Sequence, residues 1–358
     1  MTRWLTDAPV ETRLLEFLRR PESYPEQPQR VWVLETHMSW VFLLDRSVYK
    51  LKKPVARPFL DFRSVAARRR FCLEEVRLNR VLAASVYFGA VPIVDSPGGL
   101  QIGGIGPALD WLVHMRRLPE DRMLDRVITT GNPQPSEIDR LCRLLARFYR
   151  AAPRRRLSAK AYMRRLWQEI AVNERDLTDP RFDPGSGLVR RLCAAQRRFL
   201  RNNVDLLAAR SNSGHLVDGH GDLRPEHICL EPQPVVIDRL EFEPAYRIVD
   251  PVDELAYLAM ECERLGAGWV GAKILREYLC RSGNRVPWRL IEFYACLRAC
   301  QRARFAIMHL WHGDPGPRAR WIGRAREYLA VAARRMRRRR VGIQRSGWPS
   351  GQFISLRG

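Results

Sequence analysis

Residues 220–230 read HGDLRPEHICL, and the rest of the reading works outward from them. The run opens with His220, Gly221 and Asp222. Glycine leaves room beside the backbone, so the aspartate that follows sits in a tight loop. Sixteen residues after Asp222, the apolar stretch PVVID (residues 234–238) ends in Asp238. A loop, a strand, a turn and a second strand fold such a segment back on itself and return the second carboxylate to the first. Two carboxylates held this way suit metal-assisted chemistry on a charged substrate.

The chain has 358 residues, 46% of them hydrophobic, enough for two domains or one two-lobed unit with a sizeable core. No apolar run reaches about 18 residues, so no transmembrane helix is expected. The N-terminus carries acids early and lacks an apolar signal core, which points to the cytoplasm. The eight cysteines include no CxxC pair. Cys296 and Cys300, one helical turn apart, read first as buried thiols and second as a metal or redox pair. The net charge of +23 permits contact with nucleic acid, an anionic membrane surface or a polyanionic substrate. Much of that charge is arginine scattered along amphipathic helices. Part is concentrated in AARRMRRRRVGIQRSG (residues 332–347), read as a solvated helix end and tail, with a polyanion anchor as the alternative.

Residues 10–18 suggest a helix, and residues 31–54 alternate apolar and polar side chains as three successive strands. A helix is expected over 63–85, then strands at 87–94, 99–104 and 108–118. From about residue 120 the apolar spacing becomes helical, with long stripes over 138–152, 161–177 and 188–210. Two short strands, 227–230 and 234–242, interrupt this pattern before helices resume at 252. The fold class is therefore α+β: a small antiparallel sheet with one helix, followed by a larger helical part.

Phosphoryl transfer needs phosphates held, their charge neutralised by Mg²⁺ and a lysine, and a carboxylate near the attacking hydroxyl. Asp222, beside His220, is the candidate base, and Asp238 the candidate metal ligand. Lys50 and Lys52 lie on one face of a strand. Val48-Tyr49-Lys50 resembles the Val-Ala-Ile-Lys strand pattern, which favours Lys50 over Lys52 for the phosphates. Glu75 on the following helix is placed to pair with it, and aligns better than Glu74 with Leu78 and Leu82. The phosphate loop would be residues 35–39, glycine-free, with Ser39 and backbone N–H groups serving. Backbone groups from Arg116 to Leu118 form a plausible hinge for an adenine edge.

Taken together, HGDLRPEH, VVIDRLEF and VDELAYLAMECERLG are similar to the aminoglycoside phosphotransferase-like group of the protein-kinase-like superfamily. THMSWVFLLDRSVYKLKKPVARPFLDF and EEVRLNRVLA resemble an uncharacterised bacterial branch of it. The resemblance covers roughly residues 30–310. It implies a two-lobed kinase fold: an N-terminal nucleotide-binding lobe over 1–115, a helical catalytic lobe over 116–340, and a basic tail over 341–358. It further implies ATP with Mg²⁺ (or Mn²⁺) and a small-molecule acceptor, with Asp253 matching the acid that supports the catalytic loop. The expected activity is an ATP-dependent small-molecule kinase. The alternatives are a nucleotide-binding pseudokinase or adaptor, and a nucleic-acid or membrane-surface binder working through the tail.

Three departures stand out. His227 occupies the place of the metal-binding asparagine, so it is either a softer ligand suited to Mn²⁺ or Zn²⁺ or a hydrogen-bond partner of Asp222. No GxxxxGK[ST] motif is present. A chain of charge +23 is a poor catcher of polycations, unless Glu241, Glu243, Asp250, Asp253, Glu254, Glu261 and Glu263 line an acidic acceptor pocket.

Overall fold

The computed structural model describes residues 10–57, 60–131, 133–311 and 317–341. The expected basic tail lies outside the described residues from 342 onward. The chain divides into two compact units. One gathers residues up to 144 with residues 220–247; the other gathers 145–219 with residues from 248 on. The loop at 220 and its hairpin, expected with the helices, thus group with the sheet.

In the first unit, α1 (Val10–Leu18) precedes β1 (Trp32–Glu35), β2 (Ser39–Leu43) and β3 (Ser47–Lys52). Two short strands, β4 (Ala56–Arg57) and β5 (Leu60–Asp61), which the sequence does not suggest, lead into α2 (Val65–Ala83). Then come β6 (Tyr87–Ser96), β7 (Gly99–Ile102) and β8 (Ala108–Arg116). One antiparallel sheet results, in the order β1-β2-β3-β8-β6-β7.

Alternation along the strands separates the two faces of this sheet. Tyr49, Leu51, Phe42 and Leu112 join Leu14 and Leu18 of α1 in one core cluster. Val48, Val113 and Met115 join Cys72 and Val76 of α2 in the other. Lys50 and Lys52, in step with Val48, therefore point to the α2 face. That helix begins at Ser64, whose side chain accepts the Ala67 N–H. Arg68 ties it to β8, with Nε 2.8 Å and 3.0 Å from the two oxygens of Asp110. Arg68, Cys72, Glu75, Asn79 and Leu82 recur at helical spacing on its buried stripe.

The hairpin after the His-Gly-Asp loop is shorter than the sequence suggests. Its strands, Ile228–Cys229 and Val235–Val236, are two residues each. Asp238 lies two residues beyond the second strand, in a left-handed conformation with φ 62°.

The second unit is helical. Its helices are Ala159–Leu177, Ser186–Asn202, Val204–Asn212, Pro251–Arg264, Gly268–Ser282, Trp288–Trp311 and Arg318–Val341. The single helix expected over 188–210 breaks at Asn203, whose amide instead bonds the Phe199 carbonyl at 2.8 Å. Cys296 and Cys300 are buried, and both accept from the Gln196 amide. No helix of the described residues is long and apolar enough to cross a membrane.

Asp250, fully buried, caps the helix Pro251–Arg264 by accepting the Val252 N–H. Arg210 grips its two oxygens from 2.7 Å each. Removing one partner of a buried pair leaves the other charge uncompensated. Arg210→Met is therefore expected to cost about 3–5 kcal/mol in urea unfolding; a loss below about 1 kcal/mol would show that this pair does not hold the helix start.

Candidate active site

The two lysines of β3 meet one carboxylate of α2. Lys50 Nζ stands 2.9 Å from Glu75 Oε1, and Lys52 Nζ 2.6 Å from Glu75 Oε2. Each lysine also reaches the segment after the hairpin: Lys50 to Asp238 Oδ1 at 3.2 Å, Lys52 to Glu241 Oε1 at 2.5 Å. Charges alternate along the chain Asp238–Lys50–Glu75–Lys52–Glu241, and its two ends are three residues apart in sequence. Burial alone would depress Lys50, but Asp238, Glu75 and Glu241 outweigh it and hold its pKa well above the ordinary value. Lys50 in turn keeps Asp238 ionised far below the usual carboxylate range. Burial opposes ionisation of Glu75, yet the two lysines overcome it and lower its pKa. The lysines differ in access: the Lys52 side chain is 1% exposed and that of Lys50 18%. Glu74 faces outward to Arg77.

Asn79, one turn beyond Glu75, fixes the same segment by its backbone. Its Oδ1 accepts the Arg239 N–H at 2.8 Å and its Nδ2 donates to the Arg239 carbonyl at 3.4 Å. The Asp238 N–H donates to the Tyr87 hydroxyl at 3.2 Å. These bonds hold Asp238 in its left-handed conformation, which few residues besides glycine, asparagine and aspartate adopt.

The loop with Asp222 is set by its neighbours. Gly221 has φ +94°, and a Cβ there would stand 2.8 Å from Leu240 Cδ1, so glycine is required on two counts. His220 is fully buried. Its Nε2 lies 2.9 Å from the Ile237 carbonyl, which can only accept, so Nε2 carries the proton. Its Nδ1 then accepts the Asp222 N–H at 3.3 Å. His227 has the opposite tautomer. Its Nδ1 donates to the Asp222 carbonyl at 2.9 Å, and its Nε2 accepts from Arg224 Nη2 at 2.9 Å. Arg224 Nε bonds Asp222 Oδ2 at 3.0 Å. His227 Nε2 is 3.5 Å from Asp238 Oδ2, which brings Asp222, His227, Asp238, Lys50 and Glu75 into one site.

Other expected site residues are placed differently. Ser39 is 1% exposed, and its hydroxyl has no hydrogen-bond partner among the described residues, so it does not face a ligand. The turn before it closes on itself, Thr36 and Ser39 exchanging main-chain and hydroxyl bonds. The Arg116 N–H is taken by the Val86 carbonyl, and its guanidinium is bidentate to Glu231. This removes Arg116 as a hinge donor, while Leu118 packs half-buried against the α2-side cluster. In the second unit, Asp253 is held bidentate by Arg298.

The acids after Asp238 do not make an open pocket. In the first unit, Glu241 is on Lys52 and Glu243 accepts the Ala245 N–H. In the second, Asp250 is on Arg210, Glu254 on the Tyr149 hydroxyl, Glu261 on Arg264, Arg302 and Tyr328, and Glu263 on Arg334 and Arg335. Sequence reading missed Asn79, Tyr87 and Arg224. Asn79 was findable as a polar residue on an otherwise apolar helical stripe, and Arg224 as a cation two residues from Asp222. Nothing in the sequence singles out Tyr87.

Among the described residues no three His, Cys, Asp or Glu side chains group to hold a metal by themselves. Asp238, with its side chain 45% exposed, offers oxygen to a shared ion. That donor set fits Mg²⁺ carried on a polyphosphate, because Mg²⁺ takes one or two carboxylates and completes its shell with phosphate oxygens and water.

Burial, and then the neighbouring His227, lower the His220 pKa to about 3. The unfolded value is about 6.5, so below it the unfolded chain binds a proton that the folded chain refuses. The contribution is complete above about pH 6.5 and declines as pH falls toward 3, at about 1.4 kcal/mol per unit. Between pH 6.5 and 5 the parent is expected to lose about 2 kcal/mol more than His220→Asn in urea unfolding. Equal pH slopes would contradict the buried neutral imidazole.

Comparison with known proteins bears on the fold. No family model matches the chain. Uncharacterised proteins of Mycobacterium tuberculosis and Mycobacterium bovis are 34% identical over 288 residues, covering 79% of this chain and 56% of theirs. The chain thus spans little more than half the length of the curated relatives it matches. Among solved structures, the GDP complex of aminoglycoside 2′-phosphotransferase IIIa has a TM-score of 0.50 at 16% identity, covering 90% of this chain and 98% of that one. Choline kinase from Cryptosporidium parvum also has a TM-score of 0.50, at 9% identity, covering 91% and 95%. The fold of this chain is therefore the protein-kinase-like fold of the aminoglycoside phosphotransferases and choline kinases, with a small antiparallel sheet lobe and a larger helical one.

Proposed function

We propose that this chain is a nucleotide-dependent phosphotransferase that moves the γ-phosphoryl group of ATP to a hydroxyl of a small molecule. The observation that carries this reading is Lys50, held between Glu75 on α2 and Asp238 beyond the hairpin. A lysine pinned by a helical acid and set beside a second, accessible carboxylate is the equipment phosphoryl transfer requires.

Each residue has a distinct task. Lys50 neutralises phosphate oxygens, and Glu75 keeps its ammonium aimed at them. Asp222 accepts the proton of the acceptor hydroxyl as that oxygen bonds phosphorus and the bond to the ADP oxygen breaks. His220 holds the Asp222 main chain and does not itself exchange a proton. Asp238 would hold Mg²⁺ or Mn²⁺, which when bound would supply charge neutralisation to the polyphosphate. The base of the nucleotide would meet the main chain at Leu118. The acids that a polycationic acceptor would need are engaged by lysine, arginine, tyrosine or backbone partners. A neutral or anionic acceptor fits better.

The test is calorimetric titration of ATP and of GTP, each with Mg²⁺, Mn²⁺ or no divalent ion. Metal-dependent binding of at least one nucleotide is expected, lost in Asp238→Ala and kept in Asp222→Ala. Transfer to an acceptor should fall at least about a hundredfold in Asp222→Ala. No binding under any condition, or equal ATP turnover by both variants and the parent, would refute the reading.

A further inference from the structure

The geometry points to Arg224 as the second cation of the site, a place that a metal ion takes in two-metal phosphoryl transfer. We infer that this chain binds one divalent ion with its nucleotide, and that His227 serves to hold Arg224. The inference rests on the phosphotransferase reading above.

Three contacts carry it. Arg224 Nε bonds Asp222 Oδ2 at 3.0 Å, and Arg224 Nη2 lies 2.9 Å from His227 Nε2. A guanidinium is always charged and only donates, so His227 Nε2 must present its lone pair to it. His227 Nδ1 donates to the Asp222 carbonyl at 2.9 Å, which fixes that tautomer. The one lone pair with which His227 could ligate a metal is therefore filled by the arginine. An asparagine in this place would turn an amide oxygen toward a metal; the imidazole turns a nitrogen toward a cation already present.

The location of the guanidinium supports the same conclusion. It joins Asp222 to His227, whose Nε2 is 3.5 Å from Asp238 Oδ2, and its Nη1 lies 3.8 Å from Glu226 Oε2. A positive charge thus already stands on Asp222, with only the His227 imidazole separating it from Asp238. A second divalent ion would have to displace it. Conversely, without Arg224 the His227 lone pair would be open to an ion that the phosphates of a bound nucleotide help to hold.

Counting bound Mn²⁺ by electron paramagnetic resonance, with a saturating non-hydrolysable ATP analogue, tests this without any need for turnover. The parent is expected to bind one Mn²⁺ per chain. Arg224→Ala is expected to bind two, and Arg224→Ala/His227→Ala one again. Arg224→Lys, which keeps the charge, guards against misfolding of the alanine variant and should bind one. Two ions in the parent, or no gain in a folded Arg224→Ala, would overturn the inference and leave the phosphotransferase reading standing. No Mn²⁺ at all in the parent would overturn both.

Discussion

A single carboxylate, that of Glu75, holds two lysines, and the rest of the site depends on this sharing. Taking charges out of water is costly, and a buried ion pair is weak evidence for stability on its own. Here the arrangement does something more specific. Lys52 is closed off, bonded to Glu75 and Glu241, and acts as a fixed strut between helix and loop. Lys50 makes the parallel pair of contacts but keeps a path to solvent. On the proposed reading, the strut would let Lys50 exchange a partner for a ligand without the helix and the Asp238 segment coming apart. Asn79 adds a neutral clamp on Arg239 that does not depend on charge.

Much of this was legible in the sequence, because the informative features are local. Strand periodicity put Lys50 and Lys52 on one face, and helical periodicity put Glu75 on the buried stripe and Glu74 off it. The spacing from Asp222 to Asp238 read correctly as a return, although its strands are two residues long rather than four or more. Features that depend on distant segments were not legible. Whether Ser39 faces outward is decided by its pairing opposite Lys52 in the sheet, which buries it. Whether the Arg116 N–H is available is decided by Val86, thirty residues earlier. The acidic run from Glu241 to Glu263 looked like a common surface, but each acid is claimed by a partner that sequence spacing cannot identify.

The same partnering gives part of the arginine content a structural meaning. In the second unit, arginines from several helices terminate on buried acids: Arg210 on Asp250, Arg298 on Asp253, Arg302 on Glu261 and Arg335 on Glu292. A planar, permanently charged guanidinium suits such bidentate, desolvated pairs better than an ammonium does. Arginine in this chain is thus partly internal cross-linking of helices.

The central claim is that Lys50 faces a nucleotide while Lys52 is structural. An ATP analogue carrying a lysine-reactive acyl phosphate, followed by peptide mass spectrometry, separates the two directly. The account predicts acylation of Lys50, suppressed by excess ATP with Mg²⁺, and none at Lys52 in the folded protein. Acylation of Lys52 in place of Lys50, or no ATP-protected lysine at all, would contradict it.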